Sequence, residues 1–234
     1  LELIKETKRL EKYLVECGIG SRREIKKYVH EGRIKVNGEI TLDERIHIDE
    51  KFHKVTFNDR KLEKKILRYY MLNKVSGYIT AMKDTNGKKT VKDLLPSFLD
   101  TRGLSPIGRL DKDTEGLLIF TNDGNLSKMI ASPDNNCSKV YYVELDREIT
   151  DEDIINLQNN VKIDDYICKA AKVEKITSKS INLTITEGKY HQVKKMIKAM
   201  DNKVNYLKRI KVSKLELGDL KFGEIKEIKI EDII

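Results

Sequence analysis

The residues best arranged for chemistry lie in Gly108-Arg-Leu-Asp-Lys-Asp-Thr-Glu-Gly-Leu-Leu-Ile-Phe-Thr-Asn-Asp-Gly124. Asp111 and Asp113 stand in a glycine-flanked loop that runs into an apolar stretch. A carboxylate so placed can serve as a nucleophile, a general acid or base, or a cation ligand. Loop aspartates are most often turn or cap residues, and that reading applies to both. Asp111 to Gly116 also imitates the opening of a calcium loop. The twelfth position, however, is Asn122 where a bidentate glutamate is required, which argues against calcium. A glycosidase needs two separated carboxyl groups; these lie two positions apart, and no second site is visible.

The surrounding pattern supplies elements to hold that loop. Tyr69-Tyr-Met-Leu72 reads as a strand, and Leu117 to Thr121 as another, closed by a turn at Asn122-Asp-Gly124. Tyr141 to Leu145 alternates, as do Ile181, Leu183 and Ile185. Helical stretches fall between them, from Leu126 to Ile130 and from Asp151 to Asn159. Val193, Met196, Ile197 and Met200 have the spacing of an amphipathic helix. Mixed strands and helices imply an α+β domain.

The first part of the chain reads differently, as two short helices and a hairpin. Leu10, Tyr13 and Leu14 give a helix stopped at Gly18 and Gly20. Ser21-Arg-Arg-Glu24 is a capping box, Ile25 and Val29 form an apolar face, and Gly32 ends the helix. Ile34, Val36 and Ile40 flank Asn37-Gly38, a tight-hairpin signal. The polar run Asn58 to Lys65 loses periodicity and is expected to be a linker. It divides the chain into a domain at 1–60 and one at 66–234.

Cations cluster in the first part. Arg22, Arg23, Lys26 and Lys27 lie one helical turn apart, followed by Arg33 and Lys35, with Glu24 and Glu31 opposing them. A phosphate backbone can run over such a surface, although a solvated helix face is the commoner meaning. A second basic run, Glu187 to Lys214, holds nine Lys or Arg residues against Glu187 and Asp201.

Two resemblances bear on these residues. Residues 7 to 55, with Arg9-Leu-Glu-Lys-Tyr-Leu14, Ser21-Arg-Arg-Glu24 and Gly32-Arg-Ile-Lys-Val-Asn-Gly38, resemble the RNA-binding domain named after the fourth small-subunit ribosomal protein. The Gly108–Gly124 stretch resembles the signature of the RsuA-type pseudouridine synthase family, which includes the bacterial small-subunit ribosomal RNA enzyme. Tyr70-Met-Leu-Asn-Lys74 with Gly77-Tyr78, Lys139-Val-Tyr-Tyr-Val143, and Leu183 to Met196 resemble further family segments, in the family's order. Val75 departs from the family's usual proline at that position.

The resemblance implies a small N-terminal RNA-binding domain followed by a synthase domain built on an extended, mainly antiparallel sheet. It implies Asp111 as nucleophile toward a flipped-out uridine, Tyr141 as the active-site tyrosine, and Lys194 as the active-site basic residue. No redox change or energy input occurs, so neither cofactor nor metal is expected. A carboxylate nucleophile must stay ionised, and a neighbouring cation favours that form. At 3.6 residues per turn, Lys194 falls about 100° from Val193 and Lys195 about 200°. Lys194 should therefore border the buried face, and Lys195 should point to solvent and serve RNA phosphates. Arg109 is expected to fill the vacated base position or bind a phosphate. His191 is expected to be structural.

Bulk properties agree. The chain of 234 residues carries 46 Lys and Arg against 38 Asp and Glu, a formal charge of +8, which favours a polyanionic partner. Cys17, Cys137 and Cys168 are widely spaced, so neither a disulfide framework nor a zinc site is expected. Leu117 to Phe120 is far short of a membrane span, and Leu1 to Glu6 does not read as a signal peptide. The expectation is a cytoplasmic monomer acting on ribosomal RNA or an assembling small subunit. Ser132 to Lys139 and Gly188 to Gln192 look more like the small-subunit enzyme than its large-subunit relatives. A large-subunit synthase and a non-catalytic RNA-binding protein are the rivals.

Overall fold

The computed structural model describes residues 7–63 and 66–234, which divide into two compact units. One runs through Leu67 and takes in Thr101–Leu104; the other comprises Arg68–Asp100 and Ser105–Ile234.

In the first unit, the Leu10–Glu16 helix buries Leu10, Tyr13 and Leu14, the residues whose spacing predicts it. The Arg22–His30 helix starts on the expected capping box. Glu24 N donates to Ser21 Oγ at 3.4 Å, and Ser21 N donates to Glu24 Oε2 at 2.8 Å. Its apolar face, Ile25 and Val29, packs with Leu10, Leu14, Ile34, Ile48 and Val55 in one core. The hairpin at Asn37-Gly38 forms with both residues at positive φ, 52° and 90°.

The expected linker is corrected in its first half. Asn58 and Asp59, at φ of 48° and 65°, make a tight turn that pairs Val55–Phe57 with Arg60–Lys61. Asn and Asp tolerate the left-handed region, so a polar pair without periodicity becomes a turn. Lys64 and Lys65 at the end of that run, and Leu1–Glu6, lie outside the described residues.

The second unit is built on a mainly antiparallel nine-stranded sheet. Its main order is Lys172–Thr177, Ser180–Ile185, Lys139–Leu145, Val204–Val212, Glu115–Thr121, Tyr69–Lys74, Ile225–Glu227. The pairing of Val204–Val212 with Glu115–Thr121 is parallel. Leu118 and Phe120 join the core containing Tyr141, Val143, Val193 and Met196. Leu117 and Ile119 join another with Met71, Leu126 and Val212. That division follows the two-residue period of a strand.

Two element ends differ from expectation. Asp123, expected within a turn, caps a helix over Gly124–Ala131, accepting from Asn125 N at 2.8 Å and Leu126 N at 3.1 Å. The amphipathic helix spans Gln192–Lys198, leaving Met200 past its end but packed on the core. No helix among the described residues is long and apolar enough to cross a membrane.

Candidate active site

The Asp111 loop hangs between two strands and is pinned from below by a lysine. Lys74, at the end of the Tyr69–Lys74 strand, is fully buried, and its Nζ donates to four carbonyls. These are Val75 O at 3.1 Å, Asp111 O at 3.1 Å, Lys112 O at 3.2 Å and Thr114 O at 2.7 Å. An ammonium has three N–H donors and a neutral amine two, so the carbonyl cage favours the charged form. Burial works against it and pushes the Lys74 pKa down to about 8, with Glu115, Asp113 and Asp111 pulling the other way.

Thr80 clamps the preceding residue: its Oγ1 donates to Leu110 O at 2.7 Å and accepts from Leu110 N at 3.1 Å. Gly116 then lets the following strand pass close to Val204–Val212. A Cβ there, at φ +99°, would stand 2.2 Å from the Arg209 carbonyl oxygen. No other residue permits that approach, which sets the parallel register Arg209↔Gly116.

Asp111 thereby faces the N-terminal turn of the Gln192–Lys198 helix. Lys194 Nζ lies 3.2 Å from Asp111 Oδ2 and 2.6 Å from Asp113 Oδ1, bridging both carboxylates. His191 Nε2 lies 3.5 Å from Asp111 Oδ1. Burial acts to raise the Asp113 pKa, but the Lys194 hydrogen bond and charge prevail and hold it below the ordinary value. Burial acts to lower Lys194, and the two carboxylates outweigh it, so its pKa is raised.

These groups open onto a cavity of about 360 Å³. Tyr141, only 7% exposed, forms part of its wall, and Arg109 stands exposed at its edge. The structure thus brings Asp111, Tyr141, Lys194 and Arg109 to one cavity. Lys195 is corrected: it does not point freely to solvent but is paired with Asp164, and its Nζ lies 5.2 Å from the Tyr190 ring centre. The projection places it off the buried face, yet the Lys162–Ile163 and Tyr166–Ile167 hairpin, whose turn carries Asp164, stands there to meet it.

His191, expected to be structural, lines the cavity in a left-handed conformation at φ 53°, stacked on Tyr190. Three further cavity or loop residues escape a reading of the sequence. Lys139 lies two residues before Tyr141 on the same strand face, so alternation contains a cue for it. Arg209 pairs across from Tyr141, a register that no local sequence feature encodes. Lys74 ends a strand that the sequence marks, but nothing local to it signals that its ammonium is buried.

In the first unit, Arg22, Arg23, Lys26 and Lys27 are all exposed on the Arg22–His30 helix, away from Ile25 and Val29. Arg22 approaches Glu11 at 3.5 Å and Lys27 approaches Glu31 at 3.7 Å. Arg33 and Lys35 are engaged within the unit instead. Arg33 lies over the Tyr28 and Phe57 rings at 4.4 and 4.6 Å and donates to Asn58 Oδ1 at 3.0 Å. Lys35 Nζ is 2.6 Å from Asp59 Oδ1.

Residues 68–199 match the RNA pseudouridylate synthase family, and residues 8–50 match the S4 domain. An uncharacterised RNA pseudouridine synthase of Bacillus subtilis, YtzG, is 41% identical over 96% of each chain. The ribosomal small subunit pseudouridine synthase A of Yersinia pestis is 32% identical over 96% of each. The ribosomal large subunit pseudouridine synthase B of Bacillus subtilis is 29% identical over 96% of this chain and 93% of its own. A crystal structure of a pseudouridylate synthase superposes with a TM-score of 0.70 at 31% identity, covering 96% of this chain and 97% of that one.

Proposed function

The chain belongs to the RNA pseudouridylate synthase family and is an S4-containing RNA pseudouridine synthase; from that premise we propose that it isomerises one uridine of small-subunit ribosomal RNA with Asp111 as nucleophile. The observation that carries the nucleophile is the approach of Lys194 Nζ to Asp111 Oδ2, 3.2 Å, at a cavity that includes Tyr141. A cation at that distance holds the carboxylate in line toward the cavity.

A uridine inside folded RNA leaves its stack to reach the carboxylate, and Tyr141 offers a ring beside it. Asp111 bonds to the uridine at the base or the ribose, and the glycosidic carbon–nitrogen bond opens. The uracil turns and is rejoined through carbon; that carbon gives up its proton, the freed nitrogen takes one up, and the carboxylate is released. Tyr141 serves the proton exchange with its hydroxyl. Arg109, exposed at the cavity edge, fills the vacated stack or meets a neighbouring phosphate. RNA binding falls to the S4 domain, with Arg22, Arg23, Lys26 and Lys27 as its exposed cations and Arg33 and Lys35 beside them.

The small-subunit target rests on Ser132–Lys139 and Gly188–Gln192, which look more like that enzyme than its large-subunit relatives; the second contains His191, which meets Asp111. The large-subunit reading has its own support in relatives of that name matching the same span at similar identity. Pseudouridine mapping across all ribosomal RNA decides between them. A strain lacking this protein should lose one small-subunit site, restored by the wild type and not by Asp111→Asn. Loss of a large-subunit site instead would transfer the target.

A further inference from the structure

Two buried cations of the cavity have no part in holding Asp111. Lys139 is 7% exposed and Arg209 2% exposed, and both line the cavity wall. Arg209 spends its Nε on Leu117 O at 2.8 Å, and Lys139 Nζ donates to Cys137 O at 3.1 Å. Among the described residues, neither forms an ion pair with a carboxylate. The one acidic residue lining the cavity, Asp111, is already met by Lys194 and His191.

Burying a charge without a counter-charge is costly, and burying two side by side is costlier. Burial and the Arg209 charge both lower the Lys139 pKa, and the neighbouring Cys137 thiol, itself raised by burial, is a poor counter-ion. An arrangement that carries this cost in the free protein is complementary to an anion that arrives with the substrate.

Their position indicates which anion. Arg209 lies directly across from Tyr141 in the sheet, and Lys139 lies two residues before Tyr141 on the same face. Arg209 Nη1 is 4.0 Å from where a side chain on Gly108 would begin, so the guanidinium lies beside the start of the Asp111 loop. A uridine seated against Tyr141 would bring its backbone near both cations. We propose that Lys139 and Arg209 form a phosphate subsite that grips the phosphodiester beside the flipped uridine. The subsite rests on the reading of this cavity as the uridine site.

Direct binding of uridine and of uridine 3′,5′-bisphosphate tests it without turnover. The wild type should prefer the bisphosphate by about tenfold or more, the scale of one or two charge-assisted hydrogen bonds. Lys139→Met and Arg209→Gln should each cut that preference severalfold while leaving uridine binding nearly unchanged. Thermal melts identify a variant that has lost its fold, and Lys139→Met, at the cavity wall, serves if Arg209→Gln is lost. On RNA, Lys139→Met should raise KM, spare kcat, and flatten the salt slope by about 0.7, the share of one phosphate on a single strand. A purely structural role would leave that slope unmoved. Absence of any bisphosphate preference in the wild type, or its survival at full size in both variants, would overturn the proposal. The uridine-site reading fails separately, if Asp111→Asn still forms pseudouridine.

Discussion

The helix Arg22–His30 and the surroundings of Asp111 each gather cations, in opposite settings. On the helix, Arg22 and Lys27 are 83% and 71% exposed at their side chains, and their acidic neighbours stand 3.5 and 3.7 Å away. Lys74 is buried under the Asp111 loop, Lys139 and Arg209 are buried in the cavity wall, and Lys194 is 25% exposed between two carboxylates. Charges 4 Å apart are worth about 1 kcal/mol in water and about 4 kcal/mol near a protein surface of lower dielectric. Helix cations therefore act as a screened, collective field in which position is forgiving. The cations near Asp111 are each fixed to particular partners, Lys74 to loop carbonyls and Lys194 to two carboxylates.

The sharpest test of that contrast removes the carboxylate that Lys194 meets. Asp111→Asn should lower pseudouridine formation by about a thousandfold or more in single-turnover assays, the scale of losing a nucleophile. RNA affinity should stay within about twofold. If affinity collapsed as well, Asp111 would be part of the fold's scaffold and not its reactive group.

Next comes a pair of adjacent lysines in unlike places. Lys194→Met should reduce saturated turnover by about tenfold to a hundredfold, because Asp111 and Asp113 lose the cation between them. Lys195→Met should leave saturated turnover intact and cost stability by about 1 kcal/mol at most, the worth of an exposed pair such as that with Asp164. Steady-state kinetics on both variants reads the difference; equal losses would mean that cavity position does not matter.

Lys74 extends the contrast to pH. Its pKa, pushed down to about 8, lies below the ordinary 10.5. Turnover should fall as pH rises through about 8, because the neutral amine can no longer serve the loop carbonyls. Stability should move the other way. Between about 8 and 10.5 the unfolded chain holds a proton that the folded chain has released, so this group's contribution to stability rises with pH. Lys74→Met should abolish both trends and destabilise the fold by about 1–3 kcal/mol at neutral pH, with buried carbonyls left unpaired. Denaturant melts from pH 6.5 to 10 compare the two proteins; a parallel pH dependence would show that Lys74 does not titrate there.

The helix should respond least, and only in sum. Changing Arg22, Arg23, Lys26 and Lys27 together to Gln should weaken RNA binding and flatten its salt slope by about 0.7–0.9 for each phosphate no longer neutralised. Any one change alone should alter affinity by little and stability by less than about 0.5 kcal/mol. A single substitution as damaging as the fourfold one would make that helix a specific site and dissolve the contrast.

The sequence by itself determined the local parts of this protein. The capping box at Ser21–Glu24, the turn at Asn37-Gly38, the strand within the signature and the amphipathic helix at Val193 depend on neighbours within four residues, and each formed there, the helix ending short of Met200. The signature also marked Asp111, and helical period placed Lys194 at the edge of the buried face. Period tells which face a side chain occupies, but not what stands opposite it. Tertiary structure alone decided that Asp164 would meet Lys195 and that His191 would reach Asp111. It likewise brought Lys74 to Asp111 O across 37 positions and set Arg209 against Tyr141. Those pairings depend on strand register fixed by long-range packing, including the close approach that Gly116 permits, and register is a property of two segments that neither carries alone.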